Sequence, residues 1–260
     1  MRGEIMRKIA EIQQREQVRI LHCVESGSRA WGFASPDSDY DVRFIYVRRA
    51  EDYLRLEKTR DVIEWQLDDT LDINGWDLQK ALRLLRRSNP TVFEWNASPV
   101  VYHTTQAWAD MQALIAAAFR AKPELYHYLH MARLNYRGYL RGETVRLKKY
   151  FYVLRPLLAC RRILAYGAPP PVAFAELAQA CLPEELRGAV AYLLDRKINA
   201  PEVAEGPRID ALNDFIEAEL AQVEAVVTAM PPAHPVDWAR LDAAFLRAVQ
   251  GISTERGLTY

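Results

Sequence analysis

The sequence predicts an α+β protein, with a small head of strands and helices in its first hundred residues and an all-helical body after it. Three observations carry that prediction. Val18 to Val24 and Asp39 to Val47 are apolar runs of strand length, separated by small and polar residues. Two more strand-like segments, Asp61 to Trp65 and Leu71 to Trp76, are joined by a turn at Asp68-Asp69-Thr70. After about residue 90 the texture changes and helical periodicity dominates.

Taken in order, residues 3–16 set Ile5, Ile9 and Ile12 among charges, the pattern of an amphipathic helix. The strand Val18–Val24 runs straight into Glu25-Ser26-Gly27-Ser28, a strand-to-helix junction of small residues. A short segment from Arg29 to Phe33 leads to the turn Ala34-Ser35-Pro36-Asp37-Ser38 and then the strand Asp39–Val47. Asp77 follows the fourth strand and is a good N-cap for a helix over Leu78–Arg87. Helices are expected at roughly 105–119, 124–141, 145–166, 184–198, 208–229 and 236–249, with a break at Ala168-Pro169-Pro170-Pro171. The expected division is a head of residues 1–104 and a helical domain of residues 105–260.

Composition narrows the class. Hydrophobic content of 50% and charged content of 26% are those of an ordinary globular protein. Net charge is zero, so any affinity for a polyanion must come from a local patch. Cys23, Cys160 and Cys181 are odd in number and far apart, which argues against a disulfide scaffold or a structural zinc site. The N-terminal residues lack an apolar core of signal-peptide length, and no stretch approaches the roughly 18 apolar residues a membrane span needs. The expected compartment is a reducing cytoplasm, with no membrane partner.

The chemistry concentrates in residues 25–47, ESGSRAWGFASPDSDYDVRFIYV, where Gly27-Ser28 is followed by ten residues and then Asp39-Tyr40-Asp41. Side chains alternate along a strand, so Asp39 and Asp41 project to one face. Two neighbouring carboxylates repel unless a cation lies between them, and hard oxygen ligands suit Mg²⁺ or Mn²⁺ holding a triphosphate. Gly27 permits close backbone approach, and Ser28 opens a helical turn whose N–H groups can take phosphate oxygens. Two simpler readings fail. An EF-hand loop starting at Asp37 wants Gly and Glu where Val42 and Arg48 stand. A P-loop at Gly27–Gly32 wants Lys-Ser or Lys-Thr where Phe33-Ala34 stands.

The GS-x10-DxD spacing resembles the signature of the DNA polymerase β nucleotidyltransferase superfamily. The longer strings GSRAWGFASPDSDYDVRF, LDINGWDLQKALRLL with SNP after it, and VRLKKYFYVLRPLLA resemble its stand-alone bacterial and phage branch linked to RNA repair. The resemblance implies a polymerase-β-like head (a mixed sheet flanked by helices), a Gly-Ser pair on the nucleotide phosphates and metal-binding aspartates. It implies transfer of a nucleoside monophosphate from a triphosphate to a hydroxyl, with Mg²⁺ or Mn²⁺ as cofactor and RNA as the expected acceptor. It also implies a third acid on a later strand. Asp72, flanked by Leu71 and Ile73 in a buried-looking strand, is the leading candidate, with Glu64 and Asp77 as competitors. The expected catalytic and metal-binding set is therefore Asp39, Asp41 and Asp72.

Residues 133–162 carry nine Lys or Arg against one acid, Glu143. Arg133, Arg137 and Arg141 recur at every fourth position, and Lys148, Tyr152, Arg155 and Arg162 form a second stripe. Charged stripes are common on solvated helices, but the aromatics in Lys148-Lys149-Tyr150-Phe151-Tyr152 suit stacking on a base while cations hold phosphates. The expected nucleotide contacts are Gly27, Ser28, Arg29, Lys148, Lys149, Tyr152 and Arg155. His127 and His130 lack a third ligand nearby and read as packing or substrate contacts; His22 and Cys23 read as structural, and Trp31, Trp76 and Trp95 as core aromatics of the head. Two rival functions keep the same motif: nucleotidylation of a protein, disfavoured by the large helical body, and an inactive nucleotide-binding module, disfavoured by the crowded aspartates.

Overall fold

The computed structural model describes residues 1–68, 70–199 and 205–255. Its elements run α1 (Arg2–Glu16), β1 (Arg19–Glu25), α2 (Gly27–Trp31), β2 (Tyr40–Val47), α3 (Ala50–Tyr53), β3 (Val62–Asp68), β4 (Leu71–Asp77), α4 (Leu78–Arg86), α5 (Pro90–Asn96) and β5 (Val101–Thr104). They continue with α6 (Gln106–Ala109), α7 (Gln112–Ala118), α8 (Ala121–Tyr139), β6 (Thr144–Arg146), α9 (Phe151–Tyr166), α10 (Phe174–Cys181), α11 (Arg187–Asn199), β7 (Glu205–Pro207), α12 (Asp210–Ala229) and α13 (Trp238–Glu255). The expected α+β class holds. The turn expected at Asp68-Asp69-Thr70 includes Asp69, which lies outside the described residues.

The chain divides into two compact units, and the division differs from a boundary at residue 104. The first unit takes Met1–Gly27, Asp39–Phe119 and the residues from Pro235 on; the second takes Ser28–Ser38 and Arg120–His234. The reason is apolar burial. Trp108, Met111, Leu114 and Ile115 of the α6–α7 region, and Leu241, Ala244 and Ala248 of α13, share one buried cluster with Leu21, Ile45, Val47 and the inner face of α4. Periodicity marks such residues as helical but does not say which surface their apolar face covers.

In the first unit, among the described residues, five strands form one sheet in the order β3-β4-β2-β1-β5. β2 and β4 pair in parallel; the other neighbours are antiparallel. Strand alternation sorts the side chains of β2. Val42, Phe44 and Tyr46 pack with Ile5, Ile9 and Ile12 of α1, each worth about 2 kcal/mol on burial. Ile45 and Val47 point to the other face, under the α4–α7–α13 layer. Asp41 and Arg43 share the parity of Ile45 and continue that second face toward the start of the strand.

His22 of β1 lies in this interior, stacked on Trp108 at 5.0 Å. Its Nε2 meets the Trp95 carbonyl and its Nδ1 the Thr104 hydroxyl, each at 3.2 Å. Burial holds its pKa down at about 4, against an ordinary value of 6.5. The structural role expected for His22 matches this placement. Asp77 likewise serves as the N-cap of α4, accepting from the Gln79 N–H at 2.8 Å and the Tyr53 hydroxyl at 2.9 Å.

The second unit is built on α8, α9 and α12, with α10 packed on α9. It is not all-helical: β6 and β7 pair antiparallel, and a 3-10 turn over Leu147–Tyr150 leads into α9. The single helix expected at 145–166 is therefore a strand, a turn and a helix. A polar network ties the start of α12 to the end of α8 and to the 3-10 turn. Tyr150 donates to Asn213 Oδ1 at 2.7 Å, the Ile209 N–H donates to Tyr150 at 2.8 Å, and Asn213 Nδ2 donates to the Leu140 carbonyl at 2.8 Å. Residues 28–38 belong here through Phe33, whose ring lies 4.7 Å from Phe151 and 5.7 Å from Phe174.

Candidate active site

The parallel pairing of β2 with β4 sets Asp41 directly beside Asp72. Residues in register on parallel neighbours project to the same side, so two carboxylates stand shoulder to shoulder. Like charges so placed are destabilising unless compensated. Arg43, two residues along β2 on the same face, compensates them. Its Nη2 donates to Asp41 Oδ1 at 2.8 Å and to Asp72 Oδ2 at 2.7 Å. Its Nη1 donates to the Asp72 carbonyl at 2.9 Å and to the Val42 carbonyl at 3.1 Å. One guanidinium thus meets four oxygens on two adjacent strands.

Asp41 is also fixed from its other side. Gly27 adopts a left-handed conformation, φ +58°, and a Cβ placed on it would lie 2.0 Å from Asp41 Oδ2. The glycine at the end of the motif therefore has two reasons: a backbone that L residues avoid and a carboxylate seated where a side chain would go. Behind Asp41, the backbone is anchored by Glu25. That carboxylate is buried and accepts from the Asp41 N–H at 2.8 Å through Oε1 and from the Tyr102 hydroxyl through Oε2. Ser98 donates to the Glu25 carbonyl at 2.6 Å. Burial, with the Glu25 carboxylate second, pushes the Tyr102 pKa well above its ordinary value and keeps the phenol a donor.

The other acids are placed elsewhere. Asp39 precedes the first ladder pair, Tyr40 with Leu71, and is exposed. Glu64 is exposed on β3 and paired with Arg60 at 3.3 Å, and Asp77 is the buried cap already described. Of the three candidates for a third carboxylate, register thus brings Asp72 to Asp41. Asp72 is not buried, however: its side chain is 56% exposed, and only its neighbours Leu71 and Ile73 face the core. Among the described residues, no group of three or more His, Cys, Asp or Glu side chains is close enough to hold a metal ion. The donor set at Asp41 and Asp72 nonetheless suits a hard cation, since two carboxylates and two carbonyls already converge on one positive group.

Ser28 and Arg29 fall in the second unit. The Ser28 carbonyl accepts from the N–H groups of Gly32 and Phe33, both at 3.1 Å, and Arg29 donates to the Ser38 carbonyl at 2.6 Å. Trp31 also belongs to this unit, which corrects its reading as a core aromatic of the head. It meets Tyr152 edge-on at 5.8 Å, and the Arg155 guanidinium lies 4.6 Å from its ring centre. Lys149 places its ammonium 4.1 Å from the Tyr139 ring and 4.8 Å from the Tyr152 ring. Arg155 itself is buried and donates to the Val172 carbonyl, so the surface stripe Lys148–Tyr152–Arg155–Arg162 is broken at its third member.

Sequence reasoning passed over Arg43 and Glu25. The signal for Arg43 was present, because the alternation that pairs Asp39 with Asp41 also carries Arg43 to their face. Glu25 was signalled only as a charge ending an apolar strand.

A family model described as RlaP, the RNA repair pathway DNA polymerase beta family, matches residues 1–247. The chain belongs to this family. By that kinship it is a polymerase β-like nucleotidyltransferase. A Bacillus subtilis strain 168 protein, the uncharacterized protein YcgL, is 46% identical over 225 residues, which are 86% of each chain. A crystal structure of a nucleotidyltransferase-like protein from Exiguobacterium sibiricum 255-15 aligns with 96% of this chain and 80% of its own, at 15% identity and a TM-score of 0.30. Among the described residues, no helix is long and apolar enough to cross a membrane.

Proposed function

We propose that this RlaP-family chain transfers a nucleoside monophosphate from a nucleoside triphosphate to a hydroxyl at an RNA end. The single observation that carries the reading is the convergence of Asp41 and Asp72, side by side in register, beside the left-handed Gly27. In the reaction the acceptor oxygen bonds to the α-phosphorus, the bond to pyrophosphate breaks, and the hydroxyl proton leaves to a carboxylate or water. Asp41 and Asp72 are the residues that would hold Mg²⁺ or Mn²⁺; Asp39, the further ligand expected from the motif, is exposed and lies outside that pair. Such a cation supplies charge neutralisation at the phosphates and a more acidic acceptor hydroxyl.

The chain's own groups do the rest. Glu25 and Gly27 set where Asp41 stands, because one fixes its backbone and the other admits its carboxylate. Gly27, Ser28, Arg29, Lys148, Lys149 and Tyr152 are the proposed nucleotide contacts, and Arg155 acts behind Trp31 rather than on the ligand. The RNA acceptor is supported by the family's description, which names an RNA repair pathway, and by the cations of residues 133–162. The test is incubation of the protein with each α-labelled triphosphate, Mg²⁺ or Mn²⁺, and an RNA pool. Label is expected on RNA ends, dependent on Asp41; label on the protein itself, or none with any nucleotide, overturns the reading.

A further inference from the structure

Arg43 stands out once the site is assembled. Asp41 and Asp72 carry two negative charges in adjacent register positions, and the guanidinium supplies one positive charge. Within this trio the carboxylates outnumber the guanidinium two to one, on hard oxygens. All four terminal N–H bonds of Arg43 are spent on it: two on the carboxylates and two on the carbonyls of Asp72 and Val42. The side chain is 17% exposed and arises from the strand that carries Asp41, so it cannot leave the neighbourhood when displaced.

From this we infer that Arg43 is a tethered counter-cation, which a divalent cation must displace to reach Asp41 and Asp72. The inference rests on the proposed function, because it assigns the aspartate pair to a divalent cation. The physical ground is competition for the same lone pairs. Asp41 Oδ1 and Asp72 Oδ2 each accept a charge-assisted hydrogen bond, and an inner-sphere cation needs those oxygens at shorter range. A divalent ion neutralises both carboxylates, whereas the guanidinium neutralises one. The exchange is therefore favourable in charge and opposed by four hydrogen bonds. Arg43 lowers the affinity of the pair for a free cation, and once displaced it is a positive group beside the site, available to an anion. Cation and polyphosphate then bind better together than either alone.

The decisive measurement is Mn²⁺ binding to the full-length protein without nucleotide, followed by the electron paramagnetic resonance signal of free Mn²⁺. Wild type is compared with Arg43→Gln and with the Asp41→Asn, Asp72→Asn double variant. Removing a positive charge within hydrogen-bond distance of both ligands, at a partly screened site, is expected to tighten Mn²⁺ binding by about tenfold. The double variant is expected to lose that binding. Equal or weaker binding by Arg43→Gln, with binding still lost in the double variant, overturns the counter-cation and leaves the proposed function standing. Mn²⁺ binding indifferent to Asp41 and Asp72 overturns both.

A second measurement uses wild type and does not depend on how Arg43→Gln folds. The Arg43 side-chain Nε–H resonance, assigned by its loss in Arg43→Lys, is followed while Mg²⁺ is added. A shift that saturates with Mg²⁺ and disappears in the double variant is expected. An unmoved resonance at saturating Mg²⁺ overturns the inference.

Discussion

The acidic pair of the first unit and the basic segment of the second are both concentrations of one charge sign, and they are resolved in opposite ways. Asp41 and Asp72 are distant in sequence, and parallel register forces them together; a guanidinium from the strand of Asp41 bridges both. The cations of residues 133–162 are adjacent in sequence, and several are neutralised by acids from later in the chain. Arg133 pairs with Glu224 at 2.8 Å, Arg161 with Glu219 at 2.8 Å and Arg146 with Glu205 at 3.7 Å. A charge run read along a helix overstates the field it produces, while carboxylates on separate strands can make a site that no run announces.

The largest expected effect tests the acidic half. Asp41→Asn keeps the volume and removes one charge, so nucleotide transfer should fall at least about 100-fold while the melting temperature changes little. Labelled-nucleotide transfer and circular-dichroism melting check this together; near-normal transfer breaks the assignment of the pair. Asp39→Asn sharpens it. A loss as deep as that of Asp41→Asn makes Asp39 a third ligand, and a loss of only a few fold leaves the cation to Asp41 and Asp72.

Next comes pH, where the buried polar groups of the sheet should differ from the surface cations of the helices. His22 has its pKa held at about 4 against 6.5 when free, so protons bind the unfolded chain more readily. Its contribution to stability is complete above about pH 6.5 and is lost as pH falls toward 4, by about 3 kcal/mol in total. Urea unfolding of wild type and His22→Gln at pH 7.5 and pH 4.5 isolates the term from the carboxylates. The variant should lose less stability than wild type across that interval, and equal losses would show that His22 is not the group responsible.

Gly27→Ala should be smaller in stability than that pH term but diagnostic of the site. A left-handed alanine costs about 1–2 kcal/mol, and its Cβ must push Asp41 Oδ2 aside. Transfer should therefore drop more than a Ser26→Ala control that is matched in thermal stability by temperature. Transfer that simply follows the folded fraction would show that the seat of Asp41 is not critical.

How much of this was legible follows from the same contrast. The four main strands, α1, α4 and most later helices lie within a few residues of their expected bounds, because alternation and the 3.6-residue period are local signals. The Gly-Ser and Asp-x-Asp spacing was legible in the sequence; Asp72 was the leading candidate for the third acid that the resemblance implies, and its place beside Asp41 comes from the strand register. Arg43 as bridge, Glu25 as anchor and the exposure of Asp72 were not, because register and the direction of a face are set by pairing between distant segments. Membership of Ser28–Ser38 in the second unit was hidden for a similar reason: Phe33 finds its partners at Phe151 and Phe174, over a hundred residues on. α13 read correctly as a helix, and the one helix expected at 105–119 is the broken pair α6 and α7; in both cases a periodic pattern does not say which sheet or bundle it covers.

The smallest expected effect separates two kinds of cation within the basic segment. Arg137 is exposed, and Lys149 lies between the Tyr139 and Tyr152 rings, whereas Arg133 and Arg161 already hold carboxylates at 2.8 Å. A cation engaged with a carboxylate releases few counterions on meeting a phosphate, because its charge is already compensated. If single-stranded RNA runs over this unit, reversing Arg137 and Lys149 to Glu should lower the slope of log affinity against log salt by about 0.7 per contact, roughly 1.4 for the pair. Replacing Arg133 and Arg161 by Gln should leave the slope unchanged and cost only some stability, as expected for partly exposed ion pairs. Neither pair of changes should alter sequence preference, since phosphate contacts carry no base information. Fluorescence anisotropy with a labelled RNA, across a salt series for wild type and both double variants, reads all three slopes. A slope that falls equally in the two variants would show that pairing with Glu224 and Glu219 does not withdraw Arg133 and Arg161 from RNA. Three coincident curves would make the whole segment an ordinary solvated surface.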